Sequence, residues 1–173
     1  MLLKVAGCLI ILASASGYGL AKGLEYKKQV EEMRTLERII WQLRGEISYT
    51  KAALSDVFYR VGGRLSGPYK EWMRSLSDEL REYSTEKFEE IWKRVTMDKL
   101  RDISLPESEW KELLKLGTQM GYLDIRMQEM ALEWYGNQMR GRGESMQEML
   151  AEKRKLFGCL GVMGGAFLVI LLI

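Results

Sequence analysis

The sequence predicts an all-α protein, a charged helical bundle flanked by an N-terminal and a C-terminal transmembrane helix. Three observations predict it. Apolar residues between positions 22 and 155 recur at spacings of three and four, the period of a helix with one buried stripe. No stretch alternates as a half-buried strand would, and the chain has only 2 prolines. Each end carries an uncharged apolar segment, and every charge except Lys4 falls between Lys22 and Lys155. The expected organisation is a transmembrane helix over 1–22, a helical domain over 23–155 and a second transmembrane helix over 156–173.

Leu156 to Ile173 is the clearer span: 18 residues without a charge make roughly 27 Å of helix. Val5 to Ala21 adds 17 uncharged residues, including Gly7, Ser14, Ser16, Gly17 and Gly19. Two processing signals compete with this first span. Ala13-Ser14-Ala15 has the small-x-small form of a signal-peptidase site, and Val5-Ala6-Gly7-Cys8 resembles a lipidation box. Either would make the chain an exported helical domain, cleaved or lipidated near its N-terminus, that binds a partner outside the cell. Against them, the apolar character resumes through Tyr18 and Leu20, and only four residues precede the box.

Orientation follows from the basic flanks, which stay on the cytoplasmic side. Lys22, Lys27, Lys28, Arg34 and Arg38 follow the first span, and Arg140, Arg142, Lys153, Arg154 and Lys155 precede the second. The middle is therefore expected in the cytoplasm and both termini across the membrane. Small residues at helix-packing spacing, Ala13, Gly17 and Ala21 in one span and Gly161 and Gly165 in the other, are candidates for close approach of the two helices.

From Tyr26 the positions Val30, Met33, Leu36, Ile40, Leu43 and Ile47 form one stripe of a long helix continuing out of the first span, broken at Thr50 to Ala53. Ser55 is a candidate N-cap for a short helix carrying Val57, Phe58, Val61 and Leu65, ended by Gly62-Gly63 and Ser66-Gly67-Pro68. Pro68 suits the first turn of a third helix with Trp72, Met73, Leu76, Leu80 and Tyr83 on one side. Ser84 or Thr85 would cap a fourth, through Phe88, Ile91, Trp92 and Val95 to Leu100. Ser104 to Glu107 matches a capping box for a fifth, with Trp110, Leu113, Leu114, Leu116 and Met120 as its buried face. Gly121 interrupts that helix, and Asp124 caps the next. Ile125, Gln128, Leu132, Tyr135, Met139, Met146 and Met149 then lead into the second span as one continuous helix, with Gly141 and Gly143 its weak points.

The composition excludes several kinds of chemistry. The chain has no histidine, which removes the usual general base and the commonest metal ligand. Its 2 cysteines, Cys8 and Cys159, fall in the apolar segments, so neither a Cys-rich metal site nor an exposed thiol is expected. Gly62-Gly63-Arg64 lacks the frame of a phosphate loop. The 26 Lys and Arg against 24 Asp and Glu give no overall field for nucleic acid. No catalytic, cofactor or metal site is expected, and the surplus of Met fits a core or a partner groove.

Several residues together resemble the stage III sporulation protein AB family. They are Leu43 with Glu46-Ile47-Ser48-Tyr49, then Leu116-Gly117 with Met120-Gly121, Asp124 and Gln128, and finally Lys155-Leu156-Phe157-Gly158 running into the apolar tail. The Gly-x-x-x-Gly-x-x-Asp-x-x-x-Gln spacing is the most specific element. Two departures, Ala53-Leu54 in place of a proline-leucine pair and Met120 in place of leucine, reverse no polarity. The resemblance implies a non-enzymatic membrane component of the channel joining mother cell and forespore, similar to the platform protein of type II secretion. It further implies docking of a secretion-type ATPase and of other membrane subunits of the channel, with self-association open. By the same resemblance Glu46, Tyr49, Gly117, Gly121, Asp124 and Gln128 are candidate partner-binding residues. The residues themselves allow another reading, in which the glycines let helices pack and Asp124 caps one.

Overall fold

The computed structural model describes residues 2–82, 86–121 and 124–172, with side chains for 23–82, 86–121 and 124–149. The described residues are all-α, without a strand: α1 (Leu2–Thr50), α2 (Leu54–Gly62), α3 (Gly67–Arg81), α4 (Phe88–Lys99), α5 (Glu107–Gly121) and α6 (Ile125–Leu172). The chain divides into two compact units. One runs from Glu31 to Gly141; the other comprises the chain up to Val30 and from Arg142 onward. Among the described residues no helix is long and apolar enough to cross a membrane. The two segments expected to do so, and the small residues Ala13, Gly17, Ala21, Gly161 and Gly165 within them, have their side chains outside the described residues.

The stripe on α1 forms as its period requires: Met33, Leu36, Ile40, Leu43 and Ile47 are all buried. The helix stops where expected, and the reason is local. The Thr50 hydroxyl donates to the Glu46 carbonyl at 2.7 Å. Lys51 adopts a left-handed φ of 49°, and its N–H returns to the Ile47 carbonyl at 3.0 Å, closing the last turn in the manner usually left to glycine.

Within the unit from Glu31 to Gly141, α1 and α6 run antiparallel in a register that three pairs define. Arg140 meets Glu37 at 2.7 Å, Trp41 lies on Gly136, where an added Cβ would sit 3.1 Å from the indole, and Arg44 meets Glu133 at 3.0 Å. Both guanidiniums also flank the Trp41 ring, at 5.6 Å for Arg44 and 5.5 Å for Arg140, a cation–π arrangement. Behind this seam Leu132, Tyr135 and Met139 are buried, the spacing predicted for α6. Gly141 and Gly143 leave α6 unbroken, whereas Met149, expected on its inner face, is exposed.

Helices α2 to α5 pack successively around an aromatic cluster. Trp72 of α3 meets Trp92 of α4 edge-on at 5.3 Å between centroids, and Phe58 of α2 reaches Phe88 at 6.3 Å and Trp92 at 6.2 Å. Such pairs add about 0.5–1.5 kcal/mol each beyond the area they bury. Buried indoles need acceptors; Trp72 Nε1 finds Thr96 Oγ1 at 2.9 Å. Outside the core, Arg94 of α4 is bidentate to Glu79 of α3 at 2.9 Å and reaches Glu86 at 2.8 Å, bracing the α3–α4 connection.

Three predicted starts are corrected. Ser55 lies inside α2, whose N-cap is Ala53 with no side-chain bond, and Leu65 falls in the turn beyond. The Ser104 capping box does not form: α5 begins at Glu107, with the Pro106 carbonyl accepting from Glu109 at 2.9 Å and Trp110 at 3.0 Å, since proline pre-sets the first turn. Helix α4 is capped at Lys87 without a side-chain bond; Tyr83, Ser84 and Thr85 lie outside the described residues.

Tyr69, in the first turn of α3, donates its hydroxyl to Glu32 of α1. Burial, then this hydrogen bond and the Glu32 charge, raise its phenol well above the ordinary 10.0. The folded chain thus holds a proton that the unfolded chain releases near pH 10, so this stabilisation is present below that pH and lost as pH rises through the folded value. The urea midpoint is expected to fall above about pH 10, and Tyr69→Phe to flatten that fall; an unchanged slope in the variant would contradict it.

Candidate functional site

The candidate residues lie in two places, the carboxyl end of α1 and the corner joining α4, α5 and α6. At the first, Glu46 and Tyr49 lie about one turn apart on α1 yet differ in burial. Glu46 faces inward, 9% exposed, and binds Arg64 at 3.0 Å and Arg60 at 3.4 Å, tying the end of α2 to α1. Because both guanidiniums are more than half exposed, each pair contributes on the order of 1 kcal/mol or less. Tyr49 does the opposite: it is 90% exposed.

The corner accounts for the Gly-x-x-x-Gly-x-x-Asp-x-x-x-Gln spacing. Gly117 and Gly121, one turn apart on α5, seat Trp92 and Phe88, one turn apart on α4. A Cβ at Gly117 would lie 2.1 Å from Trp92 Cδ1, and one at Gly121 would lie 3.2 Å from Phe88 Cδ1. The indole rests so close to the α5 backbone that its Nε1–H donates to the Leu113 carbonyl at 2.9 Å. Alongside, Thr118 donates to Glu89 at 2.9 Å. Asp124 caps α6, its Oδ1 accepting the Met127 N–H at 2.8 Å. Gln128, one turn on, donates Nε2 to the Met120 carbonyl at 3.0 Å and so satisfies the carboxyl end of α5. Each of these four candidates therefore has work inside the fold.

The structure brings Gly117, Gly121, Asp124 and Gln128 together, and places Glu46 and Tyr49 on another helix. Two neighbours of Tyr49 escaped the sequence reading. Gly45 is an exposed helical glycine whose Cβ would meet nothing within 4 Å, and Gln42 Oε1 is shielded from solvent yet accepts no hydrogen bond, a state that costs about 1–3 kcal/mol. The signal was a glycine inside a strongly periodic helix. Separately, Met127, Met130 and Trp134 form an exposed apolar stripe on α6, with Gln119 and Ala131 completing a shallow groove.

Gly117→Ala is expected to destabilise the chain by about 2–3 kcal/mol through overpacking, read as a lower urea midpoint at unchanged slope. Gly121→Ala should lose less than half as much, because Phe88 lies farther off. Trp92→Leu in the Gly117→Ala background should lose less than the two single changes predict together; strict additivity would contradict the seat.

The chain matches the model of the family described as Stage III sporulation protein AB over residues 4–173. A solved structure described as Stage III sporulation protein AB (SpoIIIAB) is similar to it with a TM-score of 0.63 and 18% identity, over 72% of this chain and 97% of that one. At that identity the likeness shows the fold. No curated protein matches the sequence. A family model that spans nearly the whole chain, including both apolar ends, makes this protein a member of the stage III sporulation protein AB family, with a role in sporulation.

Proposed function

We propose that the protein is a non-enzymatic membrane platform in the channel between mother cell and forespore, held by two spans, with its helical domain in the cytoplasm docking a secretion-type ATPase and its spans meeting other membrane subunits. One observation carries the reading: α1 and α6 each run without a break, over 49 and 48 residues, from the packed helical unit into a segment whose sequence is uncharged and apolar. Continuous helices of this kind couple a cytoplasmic domain mechanically to the bilayer, which suits a platform on which a motor acts. The basic residues at both inner flanks support the orientation. A non-catalytic role is supported by the lack of histidine and by the use of Glu46, Asp124 and Gln128 in ion-pairing and capping. Family membership supports the setting.

The test uses Cys8→Ala and Cys159→Ala with a reporter cysteine at exposed Met97, labelled in intact cells by a membrane-impermeant reagent. Labelling only after lysis is expected. Labelling before lysis would favour the exported, partner-binding domain instead. Copurification of the full-length chain with the complex's ATPase from sporulating cells tests the docking; loss of the ATPase under mild detergent at low salt would contradict it.

A further inference from the structure

We infer that the outward face of α1 around Gly45 docks an acidic helix of a partner protein. Arg38, Gln42, Gly45 and Tyr49 follow one another at spacings of four, three and four, which puts them on one side of α1. Leu43 and Ile47, on the other side, are buried in the fold, as is Glu46 at the edge of this face.

Gly45 is the centre of the argument. Glycine in an exposed helix interior is unfavourable relative to alanine; Gly117 and Gly136 each seat a ring, whereas Gly23 and Gly141 are as open as Gly45. At Gly45 a Cβ would meet nothing within 4 Å, so no packing within the chain calls for it. A bare position of this kind admits the close approach of another backbone. One turn on, Tyr49 is 90% exposed, an aromatic anchor of the type enriched in binding hot spots.

Charge selects the partner. Arg38 bonds only the Thr35 hydroxyl, at 3.4 Å, and Lys51, just past the helix end, is exposed. The carboxylates beside Arg38 and Gly45 in the sequence are engaged elsewhere: Glu37 with Arg140, Glu46 with Arg60 and Arg64. The face is therefore cationic with a bare centre, and its complement is a helix bearing Asp or Glu. A second copy docked face to face would bring like charges together. This surface needs a protein partner, as the platform reading does, but not that the partner be the ATPase.

The experiment places the photo-crosslinking residue p-benzoylphenylalanine at Tyr49 of the full-length chain in sporulating cells, with Met97 as the control position, and maps the captured peptide. The expected result is one adduct on an acidic helical segment of a different protein, reduced at least 5-fold by Gly45→Gln and by Arg38→Glu with Lys51→Glu. Gly45→Gln should meanwhile raise the thermal midpoint by about 2–4 °C, because it removes a helix-weakening residue, and an internal packing role would lower it instead. Adducts on lipid or on a second copy, a yield no greater than at Met97, or insensitivity to Gly45→Gln would each overturn the inference. An acidic partner that is not the ATPase would leave it standing and contradict the ATPase docking; an ATPase that copurifies without contact at position 49 would do the reverse.

Discussion

Helices of 49 and 48 residues stay in register only if something stops them sliding, and the seat of Trp41 on Gly136 does so for α1 and α6. The indole occupies the space of a missing side chain, and any shift along the axis would drive it into a neighbouring one. Arg44 and Arg140 reinforce the seat twice over, through the ring and through Glu133 and Glu37. The rest of the unit hangs on α1 once it is aligned. Tyr69 brings α3 to Glu32, and Arg60 and Arg64 bring the end of α2 to Glu46. The aromatic cluster then fills the space among α2, α3 and α4.

A second seat repeats the device between α4 and α5. Trp92 lies on Gly117 as Trp41 lies on Gly136, with the difference that Trp92 also bonds the backbone beneath it. Asp124 and Gln128 then terminate and restart the chain around that contact. This gives the spacing that characterises the family resemblance an internal explanation, because glycine, cap and amide together fix how α6 leaves α5.

Legibility in the sequence followed the range of the interactions. The stripe on α1, the break at Thr50 and the Asp124 cap depend on residues within about one turn, and all three were readable. The start of α2 was not, since Ala53 carries no side-chain signal and Ser55 drew the cap two residues too far on. Pro106 overruled the Ser104 box for a similar reason. The partners of Gly117 and Gly136 lie on other helices, so Gly117 was visible as a motif residue while its tryptophan was not, and Gly136 was not visible at all. Glu46 and Tyr49 stood out as one motif, yet Glu46 is buried against Arg60 and Arg64 from beyond α1, while Tyr49 stays in solvent. Gly45 is not legible in the same way, because a periodic apolar pattern does not register a missing side chain.

The corner on α5 shapes the domain, and the face on α1 is the one proposed to meet a partner. The most direct measurement scores cellular abundance and spore yield side by side for full-length variants at Gly117, Asp124, Gln128, Arg38, Gly45 and Tyr49. The account predicts that corner variants lose abundance and spores together, whereas Arg38→Glu, Gly45→Gln and Tyr49→Ala keep abundance and lose spores. Corner variants that remain abundant but sporulation-defective, or α1-face variants that sporulate normally, would contradict it.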